Sequence, residues 1–334
     1  MSYIQGLINH FAALQRLAAQ TGARIQLDTS NFVLEAKLRN RYFSFYPQFM
    51  AFKDGQLSHV PVLTDETMGF AGWRPYPPFS FPLATDKLLF KRHFEEADQR
   101  VPATWLDPRD ADRDFIVKRS IGSFGMQISG PFRVAEREMF ELGAAAQGSG
   151  EVFAEQFIEG TILKVWYWGQ RAFYAHTQDY PRVAGDGRSS LSEQARLRMQ
   201  VKPETWVDSP AAAVAHACFR YQQLNPDEPL APGRAAWFDY RYGRTYDQDK
   251  LSRFHDSILA KLPGAVRTQI DAAGIVAAKA LSAEMPAPVA FALDAMLDNN
   301  GALWWLEMNS NPLVPPEGYA EMFADLFGLL ANGS

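Results

Sequence analysis

The stretch FALDAMLDNNGALWWLEMNSNP, residues 291–312, concentrates oxygen ligands on two short apolar runs. Asp294 precedes Glu307 by 13 positions, and Asn309 and Asn311 follow at alternate places. Side chains alternate faces along a strand, so Glu307, Asn309 and Asn311 share one face. Asn and Gly tolerate positive φ, so DNNG (298–301) suits a tight hairpin turn, which would bring Asp294 beside Glu307. A carboxylate pair flanked by an amide is a hard-oxygen set. It suits Mg²⁺, which takes one or two carboxylates and fills its other positions with water and phosphate. The competing reading is a solvent-facing polar strand. Against it, LWWLEMN is otherwise apolar, and an acid set in such a run needs a partner.

A second group lies in FIVKRSIGSFGMQ. Lys118 ends an apolar strand, and Ser120, Gly122, Ser123 and Gly125 follow in a loop. Small residues let backbone N–H groups approach phosphate closely, and the lysine adds a point charge. The loop lacks the G-x-x-x-x-G-K-[ST] pattern, and an ordinary hairpin loop remains an alternative. A third group is VFAEQFIEG (152–160), where Glu155 ends a strand before a short apolar link. Backbone groups of such a link can read an adenine edge; taken alone, it fits any sheet strand. The six histidines show no H-E-x-x-H spacing, and His176 reads as an ordinary strand residue. No serine-hydrolase elbow or catalytic-cysteine pattern occurs.

Together these groups form an order: the lysine of TDK, a lysine before a Gly/Ser loop, E-x-F-I-x-G, then D…E-x-N-x-N-P. This order resembles the ATP-grasp superfamily over roughly residues 84–330. GDGRSSLSE (185–193) resembles a segment of its amino-acid ligases, such as cyanophycin synthetase and the ligases that add glutamate to ribosomal protein. D-alanine–D-alanine ligase is a further likeness. The resemblance implies an α+β fold in which two subdomains with antiparallel sheets sandwich ATP, beside a small N-terminal α/β lobe. It implies that Lys87 and Lys118 contact ATP phosphates and that loop 120–125 folds over them. Glu155, Gln156 and Ile158 would lie along adenine, and Asp294, Glu307 and Asn309 would hold one or two Mg²⁺ ions, with Mn²⁺ as an alternative.

The chain departs from the family pattern twice. The ribose-binding acid expected seven positions after Glu155 is Ile162, with Glu159 as the nearby substitute. The arginine common two places before the first metal acid is Ala292; Arg241 or Arg244 of DYRYGRTYD would supply that charge from another strand. Surface strand arginines look the same in sequence.

The elements that must position these groups follow from periodicity. Ile4, Leu7, Ile8, Phe11, Leu14 and Leu17 recur at helical spacing. Asp86 can cap a helix over KLLFKRHFEEA, and WRPYPPFSFP (73–82) reads as an extended linker. Helices are also expected over PFRVAEREMFELGAAA, over 267–284 and over 317–330. The run from Glu151 to Gln178 alternates like antiparallel strands. This mixture fits an α+β architecture better than a doubly wound parallel sheet. Three units are expected: a lobe at 1–83, a unit with the Gly/Ser loop at 84–150, and a unit with the metal set at 151–334.

The chain of 334 residues, 47% apolar, can fill more than one core. A net charge of −5 argues against a protein that coats nucleic acid, and no apolar run reaches membrane-spanning length. The single cysteine, Cys218, makes no internal disulfide, and no signal-peptide cleavage pattern opens the chain; both fit the cytoplasm. The expected activity is an ATP-dependent carboxylate–amine ligase that joins an amino acid or peptide through an acyl phosphate. An ATP-grasp kinase and a nucleotide-binding module without turnover are the alternatives, and self-association stays open.

Overall fold

The computed structural model describes residues 3–53, 56–122, 127–138, 140, 142–146, 149–242 and 257–329. The fold is mixed α+β, and every strand pair in its sheets is antiparallel. It opens with helix α1 (Tyr3–Thr21) and five strands, β1 (Arg24–Leu27), β2 (Leu34–Leu38), β3 (Arg41–Lys53), β4 (Gln56–Val60) and β5 (Thr67–Arg74). These five form one sheet, and the long β3 pairs with β2, β4 and β5. The face of α1 that packs inward holds His10, Leu14 and Ala18, while Ile4 and Ile8 stand exposed. The inward stripe is therefore rotated from the one expected, and a histidine occupies its centre.

Two helices follow the linker: α2 (Pro82–Thr85) and α3 (Lys87–Glu96). Asp86 caps α3, its carboxylate accepting from the backbone N–H of Leu88 and Leu89. The second sheet has the order β6–β9–β7–β8, with β6 (Thr104–Trp105), β7 (Phe115–Arg119), β8 (Ile128–Phe132) and β9 (Val152–Gln156). The helix expected between β8 and β9 does not form. Short 3₁₀ turns occupy Val134–Glu136 and Gly143–Ala146, and Gly143 adopts a left-handed φ of 48°. The carbonyls of Ala145, Ala146 and Gly150 accept from the Arg119 guanidinium.

The third sheet, β11–β10–β14–β15, contains β10 (Gly160–Trp168), β11 (Arg171–Gln178), β14 (Ala290–Asp298) and β15 (Leu303–Asn309). Between β11 and β14 lie the ribbon β12 (Arg182–Ala184) and β13 (Ala235–Trp237), and helices α4 (Leu191–Met199), α5 (Pro203–Trp206), α6 (Pro210–Tyr221) and α7 (Gly264–Ser282). Helix α8 (Gly318–Leu326) ends the ordered elements. One apolar core runs from Leu14, Phe45 and Trp73 of the first lobe through Leu163, Phe291 and Trp305 of the third sheet to Ile270 of α7 and Phe323 of α8. The second sheet keeps a small core of its own around Phe115, Val117 and Ala154. Among the described residues, no helix is long and apolar enough to cross a membrane.

Candidate nucleotide and metal site

The register of the third sheet sorts its side chains onto two faces. On one face Leu163, Val165, Leu293, Ala295, Trp305 and Met308 enter the main core. On the other, Ile162 pairs with Met296, which pairs with Trp304, giving an apolar patch joined by Ile158 and Leu306. Next along the same face Lys164 pairs with Asp294, and Asp294 lies directly opposite Glu307. Ala292 lies opposite Asn309. A bulge makes this possible: the register shifts between Asp294 and Ala295, so Leu306 has no partner of its own. The extra residue restores Glu307 to the face of Asp294 although Trp305, two places earlier, points into the core.

The polar patch is tightly paired. Lys164 Nζ lies 2.6 Å from Asp294 Oδ1, and Asn309 Nδ2 donates to Asp294 Oδ2 at 2.9 Å. The Lys164 ammonium also sits 5.0 Å from the centre of the Tyr242 ring and 5.7 Å from that of Trp166. Burial pushes the Asp294 carboxyl above its usual range despite Lys164, and the nearby charge of Glu307 pushes the same way. Lys87 Nζ is 3.6 Å from Glu307 Oε2 and donates to the carbonyl of Gly122. The Lys87 backbone N–H donates to Ser120 O at 2.9 Å, which ties the helix start to the Gly/Ser loop.

A second ion cluster adjoins the first. Glu155, 1% exposed, is held by Lys118 and by Lys91, each at 2.6 Å. Burial opposes the Glu155 charge, but the two lysines outweigh it and hold the carboxyl below its usual range. Burial also lowers Lys91, against the pull of Glu155. Lys87 and Lys91 lie one turn apart on α3, in the same buried stripe as Phe90 and Phe94. Four lysines thus face three carboxylates, leaving one positive charge in excess, a balance that suits a polyphosphate.

The structure brings Lys87, Lys118, Ser120, Gly122, Glu155, Asp294, Glu307 and Asn309 to this junction. Ser120 is buried, and its hydroxyl accepts from the Glu151 N–H at 3.1 Å. Gln156 turns to the backbone of Ala103, its Oε1 accepting at 3.3 Å. Glu159 accepts from the Tyr221 hydroxyl at 2.9 Å, beside Asp114. A cleft of about 580 Å³ includes Gln156, Ile158 and Glu159 in its lining but none of the four lysines. The Arg241 guanidinium meets the fully buried Asp239 at 2.7 Å, while its carbonyl accepts from Gln178 on the third sheet. Ser123, Gly125 and Arg244 lie outside the described residues.

Sequence reasoning missed Lys91 and Lys164. Both had a signal: Lys91 follows Lys87 by one helical turn, and Lys164 lies between Ile162 and Trp166 in an alternating strand. The donor set fits a hard divalent cation. Asp294 and Glu307 repel across the hairpin, and a cation between them would relieve that repulsion. Among the described residues no group of three or more His, Cys, Asp and Glu side chains could enclose a metal, and both Asp294 oxygens already accept, one from Lys164 and one from Asn309; a cation at this pair would need water or phosphate at its remaining positions.

No family profile and no curated protein sequence matches the chain. Solved structures do resemble it. A bifunctional glutathione synthetase from Pasteurella multocida is 18% identical, covering 95% of this chain and 43% of that one, with a TM-score of 0.44. The VanG D-Ala:D-Ser ligase from Enterococcus faecalis is 14% identical over 74% of this chain and 62% of that one, with a TM-score of 0.42. A biotin carboxylase complex from Campylobacter jejuni is 15% identical over 75% and 48%, with a TM-score of 0.40. The chain therefore spans less than two thirds of each of these proteins.

Proposed function

We propose that the chain is an ATP-dependent carboxylate–amine ligase of the ATP-grasp kind. The observation that carries this reading is the single sheet face on which an apolar patch, Ile162–Met296–Trp304, runs directly into Lys164, Asp294, Glu307 and Asn309. A flat base and a charged phosphate tail need that sequence of surfaces. Adenine lies on the apolar patch beside Gln156, Ile158 and Glu159, and the phosphates reach Lys87, Lys118 and Lys164. Ser120 and Gly122 lie beside Lys87 at the phosphate end.

Asp294, Glu307 and Asn309 hold Mg²⁺ or Mn²⁺, which when bound neutralises phosphate charge. The lysines hold the γ-phosphoryl against a substrate carboxylate. A carboxylate oxygen attacks the γ-phosphorus, the bond to the bridging oxygen breaks, and ADP leaves. An amine then attacks the acyl phosphate carbon; inorganic phosphate departs, and the amine proton passes to it. No protein nucleophile is required, so the chain's work is positioning and charge. Arg241 or Arg244 supplies the cation missing at Ala292. The lobe at 1–83 recognises the acceptor, 84–150 carries the Gly/Ser loop, and 151–334 carries the metal.

The test is ATP turnover with Mg²⁺ across a panel of amino acids and short peptides, with products weighed by mass spectrometry. ADP release that needs both a carboxylate and an amine, with loss of water in the product, supports the ligase. A phosphorylated product replaces it with a kinase, and ATP binding without turnover on any panel member favours a regulatory module.

A further inference from the structure

Arg74 is fully buried, and so is Gln48. On the ladder between β3 and β5, Arg74 lies opposite Tyr46 and Gln48 opposite Gly72. The two long side chains are diagonal neighbours on one sheet face, a separation they can span. Arg74 Nη2 donates to the carbonyl of Pro312. Its Nε and Nη1 have no hydrogen-bond partner, and neither amide atom of Gln48 has one. Asn311, next to Pro312, is also buried; its Nδ2 donates to Phe79 O while its Oδ1 has no partner.

The charge of Arg74 is likewise unanswered. Among the described residues no carboxylate pairs with it. Histidines and tyrosines surround it instead. Burial, reinforced by Arg74, holds His10 at about 3 and His59 at about 4, so both are neutral at pH 7. Tyr76 and Tyr319 are buried beside it and remain protonated. A buried cation with two idle donors is destabilising unless an anion completes it. The chain between Asn309 and Pro312 spans at most about 11 Å, so the idle donors lie near the metal-bearing strand.

We propose that Arg74, with Gln48 and Asn311, binds a carboxylate of the substrate other than the one that reacts. Arg74 and Gln48 donate to its oxygens, and Asn311 Oδ1 accepts from an N–H of the same molecule. The substrate is then an acidic amino acid or a peptide carrying a free carboxylate within about three residues of the reacting group. The anion site stands on the buried side chains; its assignment to substrate rests on the ligase reading.

The experiment is thermal unfolding of the full chain with L-glutamate, glutarate, succinate or inorganic phosphate, at constant ionic strength, with Mg-ATP titrated in parallel. Wild type should gain at least about 2 °C from the carboxylates, which corresponds to occupied binding sites on a chain of this size. Arg74→Met should lose that gain, keep its response to Mg-ATP, and in the absence of ligand melt at or above wild type, because an uncompensated buried charge is gone. Gln48→Leu and Arg74→Lys serve if Arg74→Met fails to fold; each should weaken the carboxylate response at least about tenfold in midpoint concentration. If turnover is found, Arg74→Lys should raise KM for the acidic substrate with kcat little changed. No response to any carboxylate in wild type overturns the pocket while leaving the nucleotide site intact. A response to phosphate alone reassigns the donors to nucleotide. A carboxylate response without any ATP response keeps the pocket and removes the ligase.

Discussion

At Glu155 one carboxylate meets two ammonium groups, and none of the three can reach water freely. Removing one partner leaves part of a buried charge unanswered. Lys91→Met should therefore destabilise the fold by about 2 kcal/mol, read as a lower urea midpoint with unchanged slope. A midpoint equal to wild type would show that Glu155 needs only Lys118. Glu307 is different, because its side chain is about a quarter exposed and it opposes Asp294 across the hairpin. Glu307→Gln should keep the melting temperature within about 1 °C and reduce Mg-ATP turnover on the order of a hundredfold or more. Wild-type-like turnover in that variant sinks the metal assignment. At this scale the acids were readable in advance, because D-x₁₂-E-x-N stands out in an apolar stretch. Lys91 and Lys164 were less so, since a lysine in a helix or strand usually marks a solvent face. Arg74 was not readable at all: nothing in GFAGWRPYP says that its guanidinium turns inward.

Between residue and molecule, the bulge at Leu306 decides which side chains share a face. Plain alternation would put Trp305 and Glu307 together; the structure sends Trp305 to the core and Glu307 to Asp294. A hydrophobic pattern that includes Trp304, Trp305 and Leu306 in succession carries no period, so the bulge has no sequence signal. The start of β10 is constrained just as closely. A Cβ on Gly160 would sit 2.2 Å from Leu297 O on β14. Gly160→Ala should destabilise by at least about 2 kcal/mol by chemical denaturation, because the obstacle is backbone and cannot swing aside. The hairpins and α3 were legible from turn and cap residues that act locally. The helix expected over 131–146 gives way, among the described residues, to short 3₁₀ turns: the Val134 N–H donates to Asp114 at one end, and Gly143 takes a left-handed φ of 48° at the other. Local propensity yields to such contacts.

Across the whole molecule, the main core joins the first lobe to the third sheet, whereas the second sheet packs in two smaller clusters, one around Phe115, Val117 and Ala154 and one joining Ile116 to α6. Amides of β7 and β9 should exchange with deuterium well before those of β10 and β14. Equal protection in both sheets would contradict that division. The seam between lobes also titrates. His10 Nδ1 lies 2.7 Å from the Tyr319 hydroxyl, which accepts from the Trp73 N–H at 2.9 Å. The folded values of about 3 for His10 and about 4 for His59 lie below the ordinary 6.5. The unfolded chain therefore binds protons first, so stability is fully present above about pH 6.5 and falls as pH drops toward 4. Each histidine contributes a slope of up to about 1.4 kcal/mol per pH unit. Asp294, raised in the fold, works with the opposite sign at the acid end of that window. His10→Gln and His59→Gln should each flatten the loss between pH 6.5 and 4.5 in denaturant titrations; an unchanged slope in both would refute the assignment. The same seam sets an order of events during synthesis. Phe45 stacks on Phe323 at 5.4 Å between ring centres, and Phe43 meets Phe327 at 5.2 Å. The last strand of the first lobe ends at Arg74, 244 residues before α8 begins at Gly318. Until then its aromatic surface has no cover, so a nascent chain halted before residue 318 is a client for chaperones rather than a folded intermediate.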